Sequence, residues 1–428
     1  MNIDMFLKKY KTSPDCVDLD SVTQKFMNDM KSGLSGEKGA LPMIPTYCST
    51  EMEIKKGQTV IVLDAGGTNF RTCLVTFDEN LQPVISDFKK TSMPGAGQPI
   101  SAKDFFASFA NDVERLIDKS DRIGFCFSYA AEITADHDGI PLFFSKEIKA
   151  PEVIGKKVGA GLLAELKRRG HNVSGKKITV MNDTVTTLLA GKTIQDRAFS
   201  SYIGFILGTG TNTAYIEKNS NISKLPDINS GNQIVNVESG NFNYSLGEID
   251  ERFLKTTEKP EIYQFEKMIS GAYLGPSSLL VLKQAALDGL FSSQCASSLT
   301  ALKELNTIQM SNYLEMPDNQ DYILSSFVKT ESDAKVMYIL LDSFIKRAAC
   351  LTAANISAAV LTSGKGKDPR YPVCINADGT TFYKTENLKN YTEEYLRSYL
   401  RDKKGRYFHM VRIDNSPIMG AAIGALAL

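Results

Sequence analysis

Residues 59–71 read TVIVLDAGGTNFR, and that stretch decides the architecture. Thr59 to Leu63 is a near-continuous β-branched run and Phe70 to Phe77 a second extended one, so strand, tight turn, strand is the economical reading. Gly66 and Gly67 carry no side chains, which lets the backbone turn sharply and bring its N–H groups against an anion. Thr68 adds a hydroxyl donor. Asp64, at the end of the first strand, stands where a carboxylate would hold a hydrated Mg2+ beside phosphates. The device recurs: Tyr202 to Leu207 is an apolar strand, Gly208-Thr209-Gly210 a tight turn, and Thr213 to Glu217 a continuation. DAGGTN at 64–69 and LGTGTN at 207–212 share a Gly-Thr-Asn exit, which implies two similar halves facing each other. Either turn alone reads equally well as an ordinary β-hairpin. The pair together points to a phosphate chain gripped from two sides.

Working outward, an amphipathic helix over 18–30 is followed by a Gly/Ser/Lys loop and a proline-bearing connection at Pro42 to Pro45, a first boundary. Ser101 caps a helix over 102–118, residues 122–128 form a buried strand, and Pro151 opens a helix ending near Gly170. Ile154, Val158, Leu162 and Leu166 fall on one face of that last helix. Residues 177–181 are a further strand, followed by a helix over 184–194. Strands alternating with helices predict an α/β fold. Beyond Pro260 the pattern is mainly helical, over 262–274, 278–291, 334–361 and 386–404, with a last small-residue helix over 416–428.

A chain of 428 residues exceeds one ordinary core, which predicts two domains or one large elaborated one. Its 49 basic and 49 acidic residues balance, leaving no electrostatic footprint for nucleic acid or an anionic membrane, so the expected partners are small molecules. Seven cysteines, odd in number and mostly set in apolar runs, and a first 30 residues with no signal-like apolar stretch predict a cytoplasmic protein. The three histidines have no zinc spacing. The apolar segment 334–361 is interrupted by Asp342, Lys346 and Arg347 and reads as a buried helix rather than a membrane span. Gly175-Lys176-Lys177 lacks the upstream glycine of a P-loop.

Asn182-Asp183 lies at a strand end before a helix, where open α/β sheets present polar groups to ligands. A carboxylate there can take a proton from an attacking hydroxyl while Asn182 orients the substrate. The alternative is that Asp183 merely caps the helix.

With the two turns, the Asn-Asp pair and FEKMISG at 265–271 in view, the chain resembles the hexokinase family from about residue 59 to 274, with five motifs recurring in order. The resemblance implies an α/β, two-lobed, actin-like (ribonuclease H-like) ATPase fold with an interlobe cleft. The small lobe would hold 52–182 plus 414–428, and the large lobe 1–51 plus 183–413. The implied reaction is ATP-dependent phosphorylation of a hexose, glucose foremost, at its 6-hydroxyl, with ATP and Mg2+ as cofactors and monomer or homodimer left open. Asp183 is similar to the family's general base, and Lys146 in Ser145-Lys146 to the lysine that reaches sugar and phosphate. Ser128, Ser145, Lys146, Asn182, Asp183, Asn212, Glu238 and Glu266 are the implied sugar-binding residues. Asp64, Gly66, Gly67, Thr68, Asn69, Arg71, Gly208, Thr209, Gly210 and Ser416 are the implied nucleotide-binding residues, with Mg2+ on Asp64 through water.

The chain also departs from the family. The loop after Ser128 reads Tyr129-Ala130-Ala131-Glu132-Ile133, Phe144 replaces a tryptophan, Glu238-Ser239-Gly240 replaces Glu-Trp-Gly, and no tryptophan occurs anywhere. Glu132 in that loop is expected to bear on which hexose fits. A catalytically weak hexose sensor is the alternative, and a protein-directed actin-like ATPase would share the turns but has no need of Asn182, Asp183, Glu238 and Glu266 together. A zinc-bearing repressor-like sugar kinase would require a Cys/His cluster that the sequence lacks.

Overall fold

The computed structural model of the chain describes residues 1–49, 54–144, 148–245 and 247–427. Its strands are, in order, β1 (Ile44–Pro45), β2 (Thr59–Gly66), β3 (Asn69–Phe77), β4 (Pro83–Ser92), β5 (Arg122–Phe127), β6 (Ala131–Ile133), β7 (Gly139–Pro141), β8 (Lys177–Met181), β9 (Ser201–Leu207), β10 (Thr211–Lys218), β11 (Asn232–Asn236), β12 (Val373–Asp378) and β13 (Phe408–Val411).

One sheet has the order β4-β3-β2-β5-β8 and the other β1-β11-β10-β9-β12-β13. In each, three consecutive strands form an antiparallel meander whose first member then pairs in parallel with a fourth strand, and that with a fifth. The strand arrangement is therefore duplicated, with β1 added at one edge of the second copy. The two hairpins expected from DAGGTN and LGTGTN occupy equivalent places, β2 to β3 and β9 to β10. β2 is buried over residues 60–65 because helices cover both faces of its sheet.

On one face, Phe105 and Phe109 of the helix Ala102–Val113 and Leu162 and Leu166 of the helix Val158–Arg168 pack against Phe125 and Phe127 of β5. Against the other face, Leu188 of the helix Asp183–Ala190 and Ile418, Ala421 and Ile423 of the helix Ser416–Ala425 meet Val60, Val62 and Cys73. These two helices cross at backbone contact. A Cβ on Gly420 would stand 1.8 Å from the Thr186 carbonyl oxygen, and one on Gly124 would stand 2.1 Å from that of Ala421. The expected small-residue terminal helix is thus a docking element, and it holds the Asp183 helix between the sheets.

The helix Glu331–Ser363 runs through the larger core, opened by a Thr330/Asp333 capping box and stopped at Gly364, φ 66°. It is long and apolar enough to cross a membrane, but 89% of its most apolar window is buried inside the protein. Arg347 within it is 1% exposed and forms a bidentate pair with Asp250 at 2.8 and 2.9 Å.

Several expected boundaries are corrected. Pro151 opens only a 3-10 turn, Pro151–Val153; Gly155, at φ 78°, then breaks the chain direction and the helix begins at Val158. Ile154, expected on the apolar face, is 44% exposed. The helix expected over 102–118 ends at Val113, and that over 386–404 gives way to a π-helical stretch, Arg397–Lys403. The 262–274 helix is Gln264–Ile269, interrupted at Ser270-Gly271 before Leu274–Leu287. Strands β12 and β13 lie in the region expected to be mainly helical.

Candidate active site

In the first hairpin Gly66 pairs with Asn69, leaving Gly67 and Thr68 as the two-residue turn, with Gly67 at φ 55°. Among the described residues neither of their N–H groups has an acceptor. In the second, the Gly208 N–H returns to the Gly210 carbonyl at 2.9 Å, and the N–H groups of Thr209 and Gly210 are likewise without an acceptor. Four amide donors therefore stand ready for anionic oxygens. The carbonyls behind them are fastened. Gly208 O accepts the Gly271 N–H and the Thr381 hydroxyl, both at 2.8 Å, and Gly67 O accepts the Tyr129 hydroxyl at 2.5 Å.

Asp183 is the first residue of its helix, but the cap is Asn182, whose Oδ1 accepts the Thr184 N–H at 2.9 Å. Asn182 does the work that sequence alone left open for Asp183, and the Asp183 carboxylate is directed elsewhere. Its Oδ1 receives one long bond from the Thr184 hydroxyl, 3.4 Å. Burial, first, and the nearby Glu238 carboxylate push it up to about 6.

Glu238 sits at φ 56°, a strained conformation for a residue with a side chain. Its Oε1 takes the amides of Asn212 and Asn236 at 2.9 and 2.8 Å. Burial raises it above its ordinary value, and the two amides oppose that rise. Glu266 accepts the Thr211 N–H at 2.9 Å, and burial pushes it up to about 7.

One cleft of about 670 Å³ joins these parts. Gly66, Gly67, Thr68 and Asn69 of the first turn and Gly208, Thr209 and Gly210 of the second line it together. Asn182, Asp183, Asn212, Glu238, Glu266 and Ser128 line the same cleft. Asp64 and Arg71 lie behind the first turn, where Arg71 Nη1 meets Asp64 Oδ2 at 2.5 Å and Asp64 is 3% exposed. Ser145 and Lys146 lie outside the described residues. Ser416, which the resemblance places near the nucleotide, is fully buried. Its hydroxyl donates to the Ile413 carbonyl and accepts from Asn376 Nδ2, so the side chain closes a helix start and does not reach the cleft. Glu132 is exposed on β6 and takes no part in the cleft wall; Tyr129 and Ala130 do.

Sequence reasoning missed three features. Asp378-Gly379 ends β12 beside the second turn, with Gly379 at φ 113° and the site of its absent Cβ 2.3 Å from the Leu207 carbonyl oxygen. A Gly after an apolar run was the available signal. Tyr263 enters the cleft wall at φ 55°. A further cavity of about 720 Å³ adjoins the second turn through Gly271 and Ala272, with Pro276, Leu279 and Leu305 on its apolar side and Lys283, Asn306 and Gln309 on its polar side.

A hexokinase family model matches residues 202–427, and a second matches residues 2–193. The chain belongs to the hexokinase family. Hexokinase-7 of Oryza sativa subsp. japonica is 27% identical over 96% of this chain and 93% of its own length. Glucokinase of Aspergillus niger is 26% identical over 87% of this chain and 86% of its own. Among solved structures, a Schistosoma mansoni hexokinase complexed with glucose superposes with a TM-score of 0.78 at 22% identity, covering 100% of this chain and 99% of that one. This hexokinase therefore has the two-lobed, actin-like sugar-kinase fold, and it is an enzyme that phosphorylates a sugar.

Proposed function

We propose that this hexokinase moves the γ-phosphoryl group of ATP onto the 6-hydroxyl of a hexose, glucose foremost, giving hexose 6-phosphate and ADP. One observation carries the reading: a single cleft is lined by both amide-bearing turns, by Asp183 and by a set of polar side chains able to bind hydroxyls. Asn182, Asn212, Glu238, Glu266 and Ser128 hold the sugar, because carboxylates and amides share hydrogen bonds in fixed directions. Asp183 then takes the proton of the attacking hydroxyl. With its carboxyl near 6 it is ionised at neutral pH yet basic enough to draw that proton. The unpaired N–H groups of both turns stabilise charge on the transferring phosphoryl oxygens. The resemblance assigns Ser145 to the sugar and Lys146 to the sugar and the same phosphoryl group.

The donor set fits a hydrated Mg2+. Burial, first, and in small part the nearby Asp378 carboxylate raise the Asp64 carboxyl above its ordinary value, while Arg71 opposes that rise. Asp64, already paired with Arg71, would hold the ion through water, and the ion would neutralise phosphate charge. The 720 Å³ cavity beside Gly271 suits the nucleoside, offering an apolar wall for a base and polar groups at its rim. Free, mostly buried thiols support a cytoplasmic location.

The test is ADP release with each of a panel of hexoses, with the product identified. The proposal expects one ADP per hexose 6-phosphate and little ADP without sugar. Sugar-independent hydrolysis would contradict it, and glucose binding without product would mark a sensor.

A further inference from the structure

In each hairpin turn a threonine follows a glycine whose carbonyl is gripped from behind. Gly208 O is held by the Gly271 N–H and the Thr381 hydroxyl. Gly67 O is held by the Tyr129 hydroxyl. A trans peptide is planar, with its C=O and the following N–H pointing in opposite directions. Gripping the glycine carbonyl therefore sets the aim of the threonine N–H, Thr209 in one turn and Thr68 in the other.

We propose that Tyr129 is a positioning residue for phosphoryl transfer: its hydroxyl aims the Thr68 N–H at the nucleotide's phosphates, as Gly271 and Thr381 aim that of Thr209. The inference rests on the phosphoryl-transfer reading of this cleft.

The surroundings of Tyr129 are built for such a role. Its ring is 5% exposed and set edge-on to Phe127 and Phe144, with centroids 5.0 and 5.2 Å away. The preceding Ser128 N–H bonds the Ala65 carbonyl at 3.0 Å, so the segment after β5 is stitched to the first turn at two successive residues. On the far side, the Met93 N–H holds the Thr68 carbonyl at 2.9 Å. Thr68 thus lies between two fastened peptides. Beyond Gly66 and Thr68 themselves, no heavy atom stands within 4 Å of where a Gly67 Cβ would be, so packing around that side of the turn supplies no substitute for the hydroxyl.

Tyr129→Phe keeps the ring packing and deletes the tether. Initial rates with ATP varied at saturating hexose should give a KM for ATP raised about 3- to 10-fold, the loss expected for one hydrogen bond, and a lower kcat. The KM for hexose should stay within about twofold, and Tm within about 2 °C, of the parent. Thr381→Val should show the same split from the second turn. Unchanged ATP parameters, a parallel rise in hexose KM, or a loss seen only in Tm would each overturn the proposal. Should the parent enzyme release no ADP with any hexose, the transfer reading fails first. Calorimetric ADP binding then decides on Tyr129: several-fold weakening in Tyr129→Phe supports the aiming role, and equal affinity overturns it.

Discussion

Glu266 Oε2 accepts the Thr211 N–H at 2.9 Å, which fastens the FEKMISG segment to the start of β10 just after the second phosphate turn. The bond holds a carboxylate in the cleft that burial pushes up to about 7. A carboxyl raised in the folded state binds its proton more tightly there than in the unfolded chain. Its contribution to stability is complete below the unfolded value, near 4.5, and is lost as pH rises through about 7. Glu266→Gln keeps an acceptor for Thr211 and removes the titration. Its Tm relative to the parent should therefore rise between pH 5 and pH 7.5, and a constant difference would refute the linkage.

Asp183 titrates with the opposite consequence for turnover. The base must be ionised, so kcat/KM should fall about tenfold per pH unit below about 6. Glu238→Gln removes the neighbouring negative charge that adds to burial in that elevation, and the acid limb of the profile should move to lower pH. A limb near pH 4 in the parent would show that burial does not act on this carboxyl.

Gly210 has no room for a side chain, because a Cβ there would stand 2.5 Å from Glu266 Oε2. Gly210→Ala should displace that carboxylate and raise the hexose KM by about tenfold or more, with the loss of one charged hydrogen bond as the guide. Steady-state kinetics on purified, folded variant check this.

Arg71 partners a carboxylate that is 3% exposed. Arg71→Met should cost roughly 2–4 kcal/mol in urea unfolding, somewhat under the figure for a fully buried pair because the Arg71 side chain is 32% exposed. Equal unfolding midpoints would mean that Asp64 is already neutral in the parent.

The turns and the Asn-Asp pair were legible because their chemistry is local: glycine at a tight turn and a polar pair at a strand end leave a mark within a few residues. β12 was not legible, since Val373 to Asp378 is a short apolar run amid helical segments, and only its pairing with β9 and β13 makes it a strand. Ile154 was misplaced because a 3.6-residue period was carried through Gly155, whose φ of 78° ends it. The burial of Ser416 and the bond it accepts from Asn376, forty residues away, are likewise marked by no local pattern. The Tyr129 tether and the clamp on Gly208 are equally non-local.

The central claim is that Asp183 receives the proton of the sugar hydroxyl. Hexose-dependent ADP release by Asp183→Asn, measured beside its calorimetric affinity for glucose, tests it most directly. Turnover should fall by about two to four orders of magnitude while glucose binding stays within a few-fold. A variant that binds glucose and turns over within about tenfold of the parent would contradict the account.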